Sequence, residues 1–358
     1  MVSRRNQSVT VIDVAREAGV SKSSAARVLS GRGSASPATQ RRVTEAAQRL
    51  GYRPNALARA MVSGSSHTIA AVIPDVANAF FSATLRGLTD AARSAGFEVI
   101  VSNTDNDADV EARSLELLAE KRADGFVVAP VFQDAPEAIT RLVEDGTPVV
   151  LLDRRMPALA DLPLVSVDHV GASRLATEYL IELGHRRIAI VTEAPDRLTD
   201  LRELPPDAEI SSLRPSTQRL LGYVQALDDH GVELDQDLVL ESDYDAGSAR
   251  AAVSAALDAG LGFTALYCTD AIVTLGAYNA VADHQVAVPD DISFIGFDDQ
   301  EWTTLVRPSI TVIDQPRHEL GSAAATRLLA QLRDIDPDER DLRLPAHLIP
   351  RESTAPPR

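Results

Sequence analysis

One cysteine, Cys268, occurs in 358 residues. That scarcity excludes an intramolecular disulfide and a cysteine-based zinc site and fits a reducing compartment; Cys268 itself reads as a small core residue. No apolar run approaches the roughly 20 residues that span a bilayer. The opening MVSRRNQSVT carries charge with no apolar stretch behind it, so neither a secretory leader nor a membrane anchor is expected, and a cytoplasmic, nucleoid-associated location follows. Lysine is almost missing, with only Lys22 and Lys121, which leaves no Gly-rich phosphate loop ending in lysine. The seven histidines show no HExxH spacing, and His185, in LGHRR, sits at a helix-to-strand turn as a structural residue. GLGFTA at 260–265 precedes a strand, whereas a dinucleotide fingerprint must follow a strand and open a helix. No enzyme, cofactor or metal is therefore expected.

What is present fits a soluble globular chain of two or three domains: 45% hydrophobic and 24% charged residues over a length that exceeds one ordinary core. The net charge of −17 is divided unevenly. Residues 1–64 hold eleven Arg or Lys against three acids, or +8, and the remainder holds 24 basic against 49 acidic residues, or −25. A cationic head seeks phosphate, and an acidic body stays soluble and repels it.

Residues 10–52 carry three short amphipathic segments and no strand-like alternation. The first places Val11, Val14, Ala15 and Ala18 at helical spacing, with Thr10 as N-cap and Gly19 as the stop. After the tight turn Gly19-Val20, Ser21 caps a second helix that buries Ala25, Val28 and Leu29 and turns Lys22, Ser23, Ala26 and Arg27 outward. Ser36-Pro37 opens a third, with Val43, Ala46, Ala47 and Leu50 on one side. Helix, tight turn and helix with an outward polar stripe is the arrangement that inserts side chains into a major groove.

From Thr68 the pattern changes to short, wholly apolar runs separated by helical stretches. Strands are expected at 69–74, 98–103, 125–130, 148–153 and 164–168, then at 187–192, 238–242, 265–270 and 292–299, with amphipathic helices between them. Such alternation gives parallel sheets covered on both faces. Two series give two doubly wound lobes, with ligands in the crevice at strand C-termini. The fold class is thus an all-α helix-turn-helix headpiece on an α/β core of two doubly wound, periplasmic-binding-protein-like lobes. The expected boundaries are a headpiece over 1–53, a hinge over 54–64 and a core over 65–358. Within the core, the N-lobe takes 68–168 plus 298–322 and the C-lobe takes 169–297 plus 323–350.

The run VTVIDVAREAGVSKSSAARVLSG, continuing to RRVTEAAQRLGYRPNALARAM, resembles the LacI family of bacterial repressors. VIPDVANAFF, LGHRRIAIV, RLLGYVQAL, VPDDISFIGFDD, ITVIDQP and the closing RES extend the likeness in order over essentially the whole chain. The resemblance implies that Lys22 and Ser23 read bases, that Arg27 contacts a base or phosphate, and that Thr10, Ser21, Ser24 and Asn55 hold phosphates. The alternative for Thr10 and Ser21 is a role as helix caps alone. Ala25 and Ala26 depart from the larger or hydroxylated residues usual in the family, which puts one phosphate contact in doubt. Pro54 to Met61 is too short to stand as an isolated helix in water. In similar repressors it folds when two subunits meet on DNA, so Ala58 and Met61 join the DNA-facing set, with Met61 as the minor-groove wedge where leucine is usual.

For the effector cleft the resemblance implies Asp75, Phe80 and Phe81 after the first strand, Asp153 and Arg154 after the fourth, then Arg219, Tyr244, Asp270 and Asp298. Carboxylates and arginines fix hydroxyls, and aromatic faces cover the apolar side of a sugar ring. Asp270-Ala271 stands where the family often has a polar pair, so part of the clamp is in doubt. The stretch 194–216 exceeds the usual loop and is either a lid over the cleft or a passive surface insertion. The implied partners are palindromic operator DNA, a sugar-like or polyol effector, and a second copy of the chain. With no apolar heptads near the end of the sequence, a dimer is preferred to a tetramer. The alternative is a solute-binding protein without DNA function; the +8 head and the lack of a leader separate the two.

Overall fold

Thr10 and Asp13 begin the first helix reciprocally: the Asp13 carboxylate accepts the Thr10 backbone N–H at 2.9 Å, and Thr10 Oγ1 accepts the Asp13 N–H at 3.4 Å. In the computed structural model, which describes residues 9–30, 35–52, 65–132, 136–193, 210–335 and 339–358, this capping box opens α1 (Val11–Ala18). Gly19 closes it at φ 62°, in the left-handed region where a Cβ is disfavoured. Helix α2 (Lys22–Ser30) follows after the Ser21 hydroxyl accepts the Ser24 N–H at 3.1 Å, and α3 (Pro37–Arg49) starts on the Ser36 cap with Pro37 in its first turn. Val14, Ala15, Ala18, Ala25, Val43 and Ala46 form the small core of this unit.

The chain divides into two compact units, Met1–His67 and Thr68–Arg358. The larger contains two six-stranded sheets. In the first lobe, β1 (Thr68–Ile73), β2 (Glu98–Asn103), β3 (Gly125–Val128), β4 (Val149–Leu152) and β5 (Leu164–Val167) alternate with α4 (Ala79–Ser94), α5 (Ala108–Glu120) and α6 (Glu137–Glu144). In the second, α7 (His169–Glu182), β6 (Ile188–Thr192), α8 (Pro215–Asp229), β7 (Val239–Glu241), α9 (Ala246–Asp258), β8 (Ala265–Cys268), α10 (Ala271–Asp283), β9 (Ser293–Phe297), α11 (Glu301–Leu305) and β10 (Thr311–Asp314) continue the pattern. The chain then crosses back to α12 (Arg317–Gln331) and β11 (Leu342–Leu344) and ends beyond β12 (His347–Ile349). The strand orders are β11-β5-β4-β3-β1-β2 and β12-β10-β9-β8-β6-β7, parallel throughout except for the β10–β12 pair. Most strands are buried along their length, as two-sided cover by helices requires.

The expected elements appear, but the lobe assignment after residue 298 needs correction. β10, placed by sequence in the N-lobe, pairs with β9 of the second sheet, and β11, placed in the C-lobe, pairs with β5 of the first. Helix α12 belongs to the first lobe: it packs against α4 and against β3, β4 and β5, with Leu320, Ala324, Ala325 and Leu328 buried. The physical reason is cover. The first sheet presents an apolar face that α12 fills, and the short strands around it finish whichever sheet edge lies beside them. His185 and Cys268 are core residues, as the sequence suggests. The ring of His185 bonds Thr264 Oγ1 at 2.8 Å and the Ala355 carbonyl at 2.9 Å, which pins the C-terminal segment, and Cys268 is fully buried. Among the described residues no helix is long and apolar enough to cross a membrane.

Helices α4 and α12 approach closely because each offers a glycine. A Cβ on Gly87 would lie 1.9 Å from the His318 carbonyl oxygen, and one on Gly321 would lie 1.8 Å from that of Thr84. Gly321→Ala therefore forces the two backbones apart, at an expected cost of about 1–3 kcal/mol. Calorimetry of the variant should show a lowered unfolding temperature, and an unmoved transition would contradict this packing.

Candidate functional site

Between the lobes, where strand C-termini face one another, lies a cavity of about 260 Å³, at the small end of ordinary ligand pockets. The first lobe supplies Asn78, Phe80 and Phe81 from the start of α4, Asn106 after β2, Phe132 after β3, and Asp153-Arg154 after β4. The second supplies Glu193 after β6, Arg214 to Ser216 and Arg219 from α8, Tyr244 before α9, Thr269-Asp270 after β8, and Gln315 after β10.

Arg219 organises the floor. Gly222 lets α8 lie against α7, since a Cβ there would sit 2.3 Å from the Val170 carbonyl oxygen, and this brings Arg219 to His169. Arg219 is 6% exposed. It donates to the Thr269 carbonyl at 2.6 Å and to His169 Nδ1 at 3.3 Å, lies 3.9 Å from the Asp270 carboxylate, and stacks its guanidinium 4.1 Å from the Phe297 ring centre. Arginine only donates, so His169 Nδ1 must accept. Its Nε2–H is thereby turned to Asp153, 3.4 Å from Oδ1. Burial and the Arg219 charge depress the His169 pKa, which keeps the ring neutral, as this tautomer requires. Burial alone would raise the Asp153 pKa, but the His169 hydrogen bond and the charges around it outweigh that and hold it below the usual carboxylate range.

On the other wall, Asn78 Nδ2 donates to the Tyr244 hydroxyl at 2.6 Å, and that hydroxyl donates to Asp270 at 3.3 Å. This chain joins the two lobes directly. Asp270 also caps α10 by accepting the Ile272 N–H at 2.8 Å. Burial, together with the Asp298 charge, pushes its pKa up to about 7. Asp153 and Asp298 each follow the third strand of their sheet in a left-handed conformation, at φ 66° and 63°. Non-glycine residues rarely adopt this backbone away from sites that constrain it.

Seven of the nine expected cleft residues line the cavity: Phe80, Phe81, Asp153, Arg154, Arg219, Tyr244 and Asp270. Asp75 does not. Its carboxylate accepts the Ala77 N–H at 2.8 Å, which bends the chain into α4, and Asn78 faces the cavity instead. Asp298 stands behind the wall, accepting from Gln315 Nε2 at 2.8 Å while Gln315 takes the lining position. Sequence reasoning also passed over His169, Asn106, Phe132 and Arg214. All but Arg214 follow strand ends, and that position was the available signal.

In the smaller unit, Lys22, Ser23, Ala26 and Arg27 are exposed along one face of α2, as the spacing predicts. Ser21 Oγ lies 2.9 Å from both Ser23 Oγ and Ser24 Oγ, and the Thr10 hydroxyl donates to Asp13 at 2.7 Å, so Thr10 and Ser21 do serve as caps. Ala25 is fully buried and belongs to the core, so its small size bears on packing and not on a phosphate contact. Asn55, Ala58, Met61 and the expected hinge lie outside the described residues, as does 194–209 of the long insertion.

Comparison with known proteins places both units. Residues 10–55 match the family described as bacterial regulatory proteins, lacI family, and residues 66–352 match periplasmic binding proteins and sugar binding domain of LacI family. Catabolite control protein A of Priestia megaterium is 31% identical over 97% of this chain and 99% of its own. The HTH-type transcriptional repressor PurR of Aliivibrio fischeri is 30% identical over 97% and 98%. A Lac repressor dimer bound to operator and an anti-inducer shares the fold, with a TM-score of 0.82 and 24% identity over 98% of this chain and 100% of that one.

The raised Asp270 pKa has a definite sign. A carboxyl whose pKa is higher folded than unfolded withdraws stability as pH rises from the unfolded value near 4 to the folded value of about 7. Asp270→Asn retains a capping side chain and removes the charge. It should stabilise the protein by about 1–4 kcal/mol at pH 8 and by much less at pH 5. Equal gains at the two pH values in denaturant titrations would contradict the assignment.

Proposed function

Because the chain belongs to the LacI family of bacterial regulatory proteins, we propose that it is a sequence-specific transcriptional repressor whose hold on DNA is switched by a small sugar-like effector in the cleft. The observation that carries this is the union, in one chain, of a +8 trihelical unit with an exposed recognition stripe and a two-lobed core with a polar cavity at its strand ends. A solute-binding protein has no use for the first, and a simple DNA binder has none for the second. No catalytic role is assigned, and a cytoplasmic location accords with the target.

Lys22 and Ser23 read bases in the major groove, with Arg27 beside them, while Ser21, Ser24 and Thr10 present hydroxyls and the helix start to phosphates. Asn55, Ala58 and Met61 complete the contact from the hinge. The dimer supplies the second half-site reader. Edge strand β2 supports this: Ile100 and Val101, on opposite faces, are 40% and 42% exposed, an apolar edge that a second copy would cover. In the core, Arg219, Asp153 and Asp270 bind hydroxyls, and Phe80 and Phe81 give the apolar wall. An effector acts by preferring one lobe arrangement to the other, and the genes under control are those of carbohydrate use.

Selection of duplexes from a random pool by the full-length protein should return a palindrome. Binding should weaken steeply with salt, since each neutralised phosphate adds roughly −0.9 to the logarithmic slope. Lys22→Ala should lose about 1–3 kcal/mol and relax the base preference at one position in each half-site. Absence of duplex binding at low ionic strength, with and without sugars, would end the proposal. Ile100→Asp should yield monomers by sedimentation and lose the palindrome; a stable dimer would place the interface elsewhere.

A further inference from the structure

The cleft has two ends of different chemistry. At one, Gln315 is 3% exposed and its Oε1 has no donor, while Arg219 Nε is buried without an acceptor. A buried acceptor and a buried donor on two residues that line the same cavity call for a ligand carrying hydroxyls. At the other end, the Phe132 ring is flanked by two guanidiniums, Arg214 of the second lobe at 4.5 Å and Arg154 of the first at 6.0 Å from its centre. Arg154 donates to Asn106 Oδ1 at 3.2 Å and lies 3.8 Å from Asp153, but its Nε is buried without a hydrogen-bond partner. Arg214 stands at the N-cap of α8 and makes no ion pair with a described residue. That helix has no side-chain cap, and its first residues, Pro215 and Ser216, line the cavity, so the positive end of its dipole adds to the two cations. Two described carboxylates that line the cavity have partners of their own. Asp153 is held by His169, and Glu193 accepts from Ser216 Oγ at 3.5 Å.

We propose that the effector is a monosaccharide-sized polyol bearing one anionic group, with the anion seated between Arg154 and Arg214 beside Phe132 and the hydroxyls toward Gln315 and Arg219. This deepens the reading of the cleft as the effector site and rests on it. Because the two arginines belong to different lobes, the anion is also a tie that draws the lobes together. A neutral sugar of the same shape offers Arg214 no charged acceptor and binds less tightly, since a hydrogen bond to a charged group contributes more than a neutral one.

Inorganic phosphate is the first probe, titrated into the full-length protein against chloride at equal ionic strength. Phosphate should raise the unfolding temperature by about 2 °C or more at saturation. Arg214→Gln should abolish the part of that rise owed to the cleft, and Arg214→Lys, which restores the cation, should regain most of it. Equal responses to phosphate and chloride, or an Arg214→Gln response as large as the parent's, would overturn the proposal. Gluconate and glucose 6-phosphate, each measured against glucose, then identify the source of the charge. A gain of about tenfold or more by one acid names carboxylate or phosphate, and glucose matching or exceeding both overturns the proposal. Duplex affinity is measured on the same samples. Its absence would remove the repressor reading while the phosphate comparison stands unaffected, and its persistence in Arg214→Gln would show that the variant is folded.

Discussion

Arg219 is a guanidinium cation, and the protein holds it almost wholly out of water. An unpaired guanidinium in such a place would cost several kcal/mol, so the floor of the cleft is built as its compensation. The Thr269 carbonyl, His169, Asp270 and the face of Phe297 surround it. The consequences propagate outward. The arginine fixes the histidine tautomer, the histidine presents its N–H to Asp153, and the depressed pKa of Asp153 keeps a full negative charge at the end of β4. Burial, the hydrogen bonds and this cation thus act together on two further groups, one on each side of the cleft.

The same network explains how the core can act as a switch. Two sheets connected by three crossings are free to change their relation only as far as the contacts between them allow. Among the described residues the hydrogen bonds and ion pairs between them include His169 to Asp153, Asn78 to Tyr244, and Arg155 to Ser211 at 3.4 Å. Each is polar, and each can be exchanged for a ligand group or for water at modest cost. Within the first lobe α4 and α12 lie in backbone contact, and one buried apolar cluster runs from Ile69 and Val127 of that lobe to Ile188 and Ile295 of the other. A ligand in the cleft therefore meets polar contacts that it can replace, and a small differential affinity is then enough to select one arrangement.

Much of this was legible residue by residue. Thr10, Ser21 and Ser36 announce helix starts because a capping side chain acts on amides two or three positions away, a wholly local chemistry. The strands of both lobes are visible as short apolar runs, and seven cleft residues could be carried over because they follow those runs at fixed offsets. Asp75 and Asn78 show the limit. Both lie in the same turn into α4, and which of them faces the cavity depends on a backbone bend that Asp75 itself makes. Asp298 was displaced for a similar reason: Gln315, seventeen residues later, folds in front of it. The lobe membership of β10 and β11 was misjudged because a three- or four-residue strand says nothing about which of two sheets it will join, and α12 was divided between the lobes because an apolar helix face does not say which sheet it covers.

By itself, then, the sequence determined the cationic head, the alternation that makes two doubly wound lobes, and the residue types at strand ends, since all of these depend on neighbours along the chain. Tertiary structure alone decided which strand-end side chains meet. The pairing of Arg219 with His169 and the bridge from Asn78 to Tyr244 join residues fifty or more positions apart, and the burial that, with the Asp298 charge, raises Asp270 exists only once neighbouring strands of one sheet are packed. The physical reason is that burial and charge coupling depend on distance in space, and no local pattern encodes that distance.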